Sequence, residues 1–179
     1  MRPKIFFLLV LCCVLSSCIR DTDFEQADQI TLSPEYELDL VYFTVDTSMF
    51  EAAGELGDSF KVTDTTNIRF LDDSFIRESL VRAEVFFRLT NSIPRDFELE
   101  VEFMTLANEV QYQFGIPIAA GSVGAPVITE HIEIFETTEE LQALTNSSRV
   151  VISVSSPESV EALEGTLNLQ SKSAYFLEY

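Results

Sequence analysis

The sequence predicts a mainly β protein: an antiparallel β-sandwich with one or two short helices. Three observations carry that expectation. Apolar residues recur at every second position in several segments, the period of a strand with one buried face. Polar breaks divide the chain into about seven to nine such segments, the number and spacing of a sandwich. Of the 179 residues, 46% are apolar, enough for a packed core and too many for a disordered chain. That length fits one domain. With 30 acidic and 11 basic residues the net charge is −19, which excludes roles that depend on clustered Lys and Arg gripping a phosphate backbone.

At the start of the chain, Arg2 and Lys4 precede an unbroken apolar run over residues 5–15. Eleven residues of helix reach roughly 16 Å, about half the hydrocarbon thickness, so the run reads as a secretory signal rather than a membrane span. It ends in Leu15-Ser16-Ser17-Cys18. Small residues leading into a cysteine at this place resemble the bacterial lipobox, and the resemblance implies diacylglycerol transfer to the Cys18 thiol and cleavage before it. Residues 1–17 are then the signal peptide. Cys12 and Cys13 depart with it, leaving a mature chain whose only sulfhydryl is lipidated and which forms neither a disulfide nor a Cys-based metal site. Two or three acyl chains (palmitate among them), at about 0.8 kcal/mol per buried CH₂, anchor a protein permanently where one chain would not. Ile19 stands where an inner-membrane retention signal would place Asp, which favours the outer membrane. Asp21, Asp23, Glu25 and Asp28 follow, and loosely resemble the acidic export signal of Bacteroidota surface lipoproteins. The cell-surface side is therefore favoured over the periplasmic one. Residues 18–30 lack apolar periodicity and read as an acidic tether of at most ~45 Å. Residues 31–179 form the single sandwich domain.

Within that domain Tyr36, Leu38 and Leu40 alternate with Glu35, Glu37 and Asp39 before Val41, Tyr42 and Phe43 continue the strand. A second strand is expected over residues 67–71. Val81, Ala83, Val85, Phe87 and Leu89 oppose Arg82, Glu84, Phe86, Arg88 and Thr90; Phe97, Leu99, Val101 and Phe103 oppose Glu98, Glu100 and Glu102. Leu106-Ala107-Asn108-Glu109 reads as a hairpin connection to Val110, Tyr112 and Phe114. Residues 115–126, holding Gly115, Gly121, Gly124, Pro117 and Pro126, read as a loop crossing between sheets. Strands are also expected over residues 129–136, 149–155 and 166–177. Thr137-Thr138-Glu139-Glu140 forms a capping box for a short helix that Asn146 stops. Ser156-Pro157 opens a second candidate helix that Gly165 closes. The succession of strand, Asn91-Ser92-Ile93-Pro94, strand, hairpin and Gly/Pro crossover over residues 81–155 resembles the LEA-like sandwich, which implies a fold and no activity.

No catalytic constellation emerges, and the expectation is that the protein is not an enzyme and needs no cofactor. His131 and Glu133 share a strand face, but zinc requires three or four ligands and the mature chain supplies no Cys thiol and no second His. Asp72 and Asp73 invite a glycosidase or, with Asp58 and Asp64, a calcium reading; adjacent acids on a strand point to opposite faces, and turn or capping roles before Ser74 fit better. There is no G-x-S-x-G, H-E-x-x-H, P-loop or dinucleotide fingerprint. Fifteen Phe at mostly alternating positions read as core. Phe86 is the exception, lying between Glu84 and Arg88. With Tyr175 and Tyr179 of the C-terminal segment it is a candidate for an apolar patch that meets a partner. The favoured readings are that both sheet faces are covered at Phe86 and that the C-terminal segment completes an edge or central strand. The leading functional expectation is a non-enzymatic outer-membrane lipoprotein, held to the bilayer by acylated Cys18, that serves as an accessory or docking subunit of an envelope complex for assembly, secretion or uptake. A surface module binding glycan, peptide or Ca²⁺ is the alternative. Nucleic acid is not an expected partner.

The lipobox makes a direct prediction. The parent chain incorporates a fatty-acid probe and fractionates with membranes, and Cys18→Ala loses both properties. A parent that takes up no probe refutes the anchor.

Overall fold

The computed structural model describes residues 31–46, 60–156 and 163–179. The signal peptide, Cys18 and the acidic tether lie outside them, as do Asp58 and residues 157–162 of the expected second helix. Leu32–Tyr179 forms one compact unit.

Alternation becomes burial where it was clearest. Phe97, Leu99, Val101 and Phe103 are all buried, while Glu98, Glu100 and Glu102 of the same strand turn outward. Eight strands form in chain order: β1 (Glu35–Asp46), β2 (Phe60–Asn67), β3 (Leu80–Asn91), β4 (Phe97–Met104), β5 (Val110–Ile118), β6 (Val127–Phe135), β7 (Arg149–Ser156) and β8 (Thr166–Leu177). They make two four-stranded sheets, ordered β1-β8-β3-β6 and β2-β7-β4-β5, with every neighbouring pair antiparallel. Only the β4–β5 link stays within a sheet; every other link carries the chain to the opposite one. This is the strand order of a jelly roll, a sandwich of two interleaved Greek keys. The LEA-like resemblance reduces to the Asn91–Pro94 turn itself, which does follow a central strand.

The β4–β5 hairpin is closed by Thr105, whose Oγ1 accepts from the amides of Ala107 and Glu109, both at 3.2 Å. Asn108 takes φ 65°, a left-handed conformation that Asn tolerates through local hydrogen bonding. Between the sheets, Phe87 and Leu89 of β3 and Leu167 and Leu169 of β8 face Leu99 and Phe103 of β4 and Ile152 and Val154 of β7, all without exposure or nearly so. Two helices plug the ends. Ser74–Ser79 (α1) is capped by Asp73, whose carboxylate accepts from the Phe75 amide at 2.8 Å, the capping role expected for that acid. Thr138–Thr145 (α2) carries the full capping box: Thr137 Oγ1 accepts from the Glu140 amide, and the Glu140 carboxylate accepts from the Thr137 amide at 3.0 Å. Those backbone donors hold the Glu140 carboxyl below its ordinary range. Leu144 seals the helix onto the core.

Four expectations are corrected. The strand expected at residues 67–71 is a 3₁₀ turn (Arg69–Asp72), and the strand of that region is β2 just before it. β2 lies at a sheet edge, and its Lys, Thr, Asp and Asn content gives no apolar alternation to read. Val81 is exposed because a bulge between Leu80 and Arg82 shifts the phase of β3. Gly115 and Pro117 belong to β5 rather than to the crossing loop, which begins at Ala119. β5 is an edge strand, where a proline's missing N–H costs the ladder nothing. The C-terminal segment is the central strand β8, between β1 and β3. Tyr175 is therefore only 3% exposed, packed on Phe70 at 5.1 Å between ring centroids, and is not part of a surface patch.

The crossings converge on Asn91. Its buried side-chain amide donates to the carbonyls of Arg95 (2.8 Å) and Ala119 (2.9 Å), and its Oδ1 accepts from the Ile93 amide at 2.9 Å. Ser92 bonds the start of β8 through Thr166, backbone to backbone at 2.9 Å and through its hydroxyl. Asp96 accepts from the Ala120 amide at 2.6 Å. Two glycines let the segments touch: a Cβ on Gly121 would stand 1.9 Å from the Asn91 carbonyl oxygen, and one on Gly165, at φ +126°, would stand 2.4 Å from that of Ser92.

Asn91→Ala is expected to lower unfolding free energy by about 2–4 kcal/mol, since it strands the buried Ile93 amide at about 1–3 kcal/mol and removes two part-buried hydrogen bonds at about 0.5–1.5 kcal/mol each. Equilibrium urea unfolding measures this. A loss below about 1 kcal/mol would mean that water replaces the amide and that Asn91 does not hold the junction.

Candidate functional site

The two outer faces differ in chemistry. On the β2-β7-β4-β5 sheet, Glu98, Glu100 and Glu102 run down β4 beside Ser153 and Ser155 of β7. Lys61 pairs with Glu100 at 3.3 Å and Thr63 bonds Ser153 at 3.0 Å. Gly115 stands opposite Glu100, and a Cβ there would meet the Glu98 carboxylate at 2.6 Å. This face is acidic and hydrated.

The outer face of the β1-β8-β3-β6 sheet carries an apolar row. Phe86 on β3 is half-buried, flanked in register by Ile132 on β6 and Lys172 on β8. Ile132 is 53% exposed, and Ile128 (51%) and Ile134 (39%) extend the row along β6. Charges around it are paired: Arg88 with Glu130 (3.4 Å), Arg82 with Glu84 (2.7 Å) and Glu136 (3.6 Å), Lys172 with Glu37 (3.2 Å). Arg82 also lies over the Phe176 ring, 6.0 Å from its centroid. Exposed pairs of this kind add little stability, so what they leave uncovered is the apolar stripe.

That stripe exists because β6 is inverted relative to its own pattern. Period two alone would turn Ile128, Ile132 and Ile134 inward. Phe135, fully buried against Phe103 (5.4 Å) and Tyr112 (4.9 Å), sets the opposite phase, so residues 131 and 133 face the sandwich interior and the isoleucines face solvent. His131 and Glu133 do share a face, at the open margin between β6 of one sheet and β5 of the other. Glu133 accepts from the Tyr112 hydroxyl at 2.5 Å through Oε1, and its Oε2 lies 2.8 Å from His131 Nε2. Phe114 stacks on the imidazole at 5.5 Å. Oε1 thus ties β6 to β5 of the other sheet while Oε2 holds His131 on the same strand, and burial followed by the Glu133 bond pushes the Tyr112 phenol well above its ordinary value of 10.0.

The remaining site residues separate. Tyr179 is half-exposed and meets Phe75 edge-on at 4.8 Å, where its backbone pairs with Leu32; it forms a small aromatic corner apart from the Phe86 row. Asp64 accepts from the Thr65 amide and Asp73 caps α1. Among the described residues, no group of three or more His, Cys, Asp or Glu is arranged to hold a metal, and no helix is long and apolar enough to cross a membrane. The isoleucine row was missed in the sequence because its alternation looks like core. The only signal against that reading was the neighbouring Phe135.

No family model and no curated protein matches the chain. Among solved structures it is similar to a protein from Parabacteroides distasonis ATCC 8503 described as secreted, with 17% identity and TM-score 0.48 over 65% of this chain. It is also similar to the infectious bursal disease virus Gx strain structure, with 10% identity and TM-score 0.45 over 82% of this chain. The chain spans 38% and 32% of those proteins. At these scores the fold rests on its own strand order.

The margin clamp predicts an alkaline signature. The folded state keeps the Tyr112 phenol protonated where the unfolded chain ionises near 10, so its contribution is complete below that pH and declines as pH rises above about 10. Tyr112→Phe should show a shallower alkaline fall in urea midpoint than the parent, the remaining slope owing in part to buried Tyr175, whose phenol is also raised by desolvation. Equal slopes would remove Tyr112 from the linkage.

Proposed function

We propose that this protein is a non-enzymatic, lipid-anchored subunit of the bacterial envelope that docks a protein partner on the outer face of the β1-β8-β3-β6 sheet. The observation that carries the reading is the Phe86, Ile128, Ile132 and Ile134 row, exposed on one sheet while the opposite outer face is acidic. An apolar row bordered by charges is the composition of a contact surface, with an apolar centre and a polar rim. The lipobox supports outer-membrane anchoring through Cys18, and the acidic segment behind it supports display on the cell surface. The saturated Glu133 carboxylate supports a structural rather than catalytic reading of the one histidine.

A photo-crosslinking residue at position 132 in living cells should yield one reproducible adduct. The same residue at position 100, on the acidic face, should yield none, and Phe86→Asp should abolish the adduct at 132. Equal labelling at both positions, or none at 132, would sink the docking reading. Saturable thermal stabilisation by glycans or Ca²⁺ would replace it with a ligand-binding module. The net charge of −19 further predicts that association with the partner slows as salt rises; a rate independent of ionic strength would contradict a basic partner.

A further inference from the structure

Resting on the docking reading, we infer that the partner engages this face by adding a strand to the free edge of β6, and that the added strand is basic and apolar in alternation. In the order β1-β8-β3-β6, β6 is hydrogen-bonded on one side only among the described residues, so alternate N–H and C=O groups along Val127–Phe135 point away from the sheet. Such an edge templates pairing unless it is blunted by charge, proline, bulges or shortness. The other three edges are blunted. β1 breaks register between Asp39 and Val41 and carries Glu35, Glu37 and Asp39. β5 contains Pro117 and a register break beside Met104. β2 is a polar run with Lys61 and Asp64. β6 alone among them combines unbroken register, from Val127 opposite Asn91 to Phe135 opposite Ala83, with exposed isoleucines and an absence of Lys, Arg, Pro and Gly.

Charge decides the occupant. β6 carries Glu130 on its outer face and is followed by Glu136, with no Lys or Arg of its own. A second copy pairing edge to edge would bring these acids alongside one another in two chains of net charge −19. A foreign strand with Lys or Arg opposite Glu130 and apolar residues opposite Ile128, Ile132 and Ile134 meets complementary charge and covers the row. Backbone pairing then supplies affinity and the alternate side chains supply specificity.

The test uses the whole chain in detergent and a synthetic peptide of pattern Ile-Thr-Ile-Thr-Lys-Thr-Ile with polar flanks, which in antiparallel register sets Lys opposite Glu130. Amide hydrogen exchange should slow at least tenfold at alternate positions of residues 127–135. A scrambled isomer, a Lys-to-Glu peptide and a peptide N-methylated on alternate residues should each bind at least tenfold more weakly. Glu130→Lys, which removes only an exposed ion pair, should reverse the preference towards the Glu peptide. Equal binding of the scrambled isomer, or protection confined to β1, β2 or β5, overturns the inference. So does a dimer of the chain alone, seen by sedimentation and abolished by Ile132→Lys, which would assign the edge to a second copy. If a partner crosslinks at position 132 while β6 amides stay unprotected in the complex, strand addition falls and the docking reading stands.

Discussion

The buried amide of Asn91 is the constraint on which the arrangement of the sheets depends. A jelly roll requires the chain to leave one sheet and enter the other repeatedly, and each crossing exposes backbone groups that no ladder can satisfy. Here the β3–β4 crossing, the β5–β6 crossing and the start of β8 meet at one corner, and Asn91, Ser92 and Asp96 supply the missing donors and acceptors. Glycine at 121 and 165 is the steric counterpart, since a side chain at either position would separate the segments that these bonds join. The cost of breaking the junction is concentrated at the buried Asn91 side chain and the buried Ile93 amide that it holds. The same corner fixes where β6 begins, and so ties the strand proposed for docking to the most tightly bonded part of the fold.

The opposite end of β6 is governed by packing. Phe135 enters the core between Phe103 and Tyr112, and the period of two then dictates every other side chain on the strand. His131 and Glu133 are drawn into the margin, where Tyr112 and Phe114 accommodate them. The isoleucines are left outside. One aromatic anchor therefore produces both the polar clamp between the sheets and the exposed apolar row. The clamp joins β6 to β5 through Glu133 and Tyr112, and the row, which looks like core in the sequence, is surface.

Asymmetry between the two outer faces follows from the central strands. β4 presents three glutamates outward, while β3 presents Phe86 among paired charges. In a chain this acidic, an apolar row is also the place where a partner meets least like-charge repulsion. Distributing the acids this way leaves one outer face acidic and the other with an apolar row among paired charges.

The sequence by itself determined the local features. Strand alternation in β3 and β4, the β4–β5 hairpin, the capping box of α2 and the capping role of Asp73 depend on residues within a few positions of one another, and period, turn chemistry and propensity read them directly. Sheet order, the polar edge strand β2, the central placement of β8 that buries Tyr175, and the outward turn of Ile128, Ile132 and Ile134 were decided only in three dimensions. These depend on which distant segment lies alongside, as Asn91 meets Ala119 or Phe135 meets Phe103, and local periodicity carries no record of the partner across the sheet.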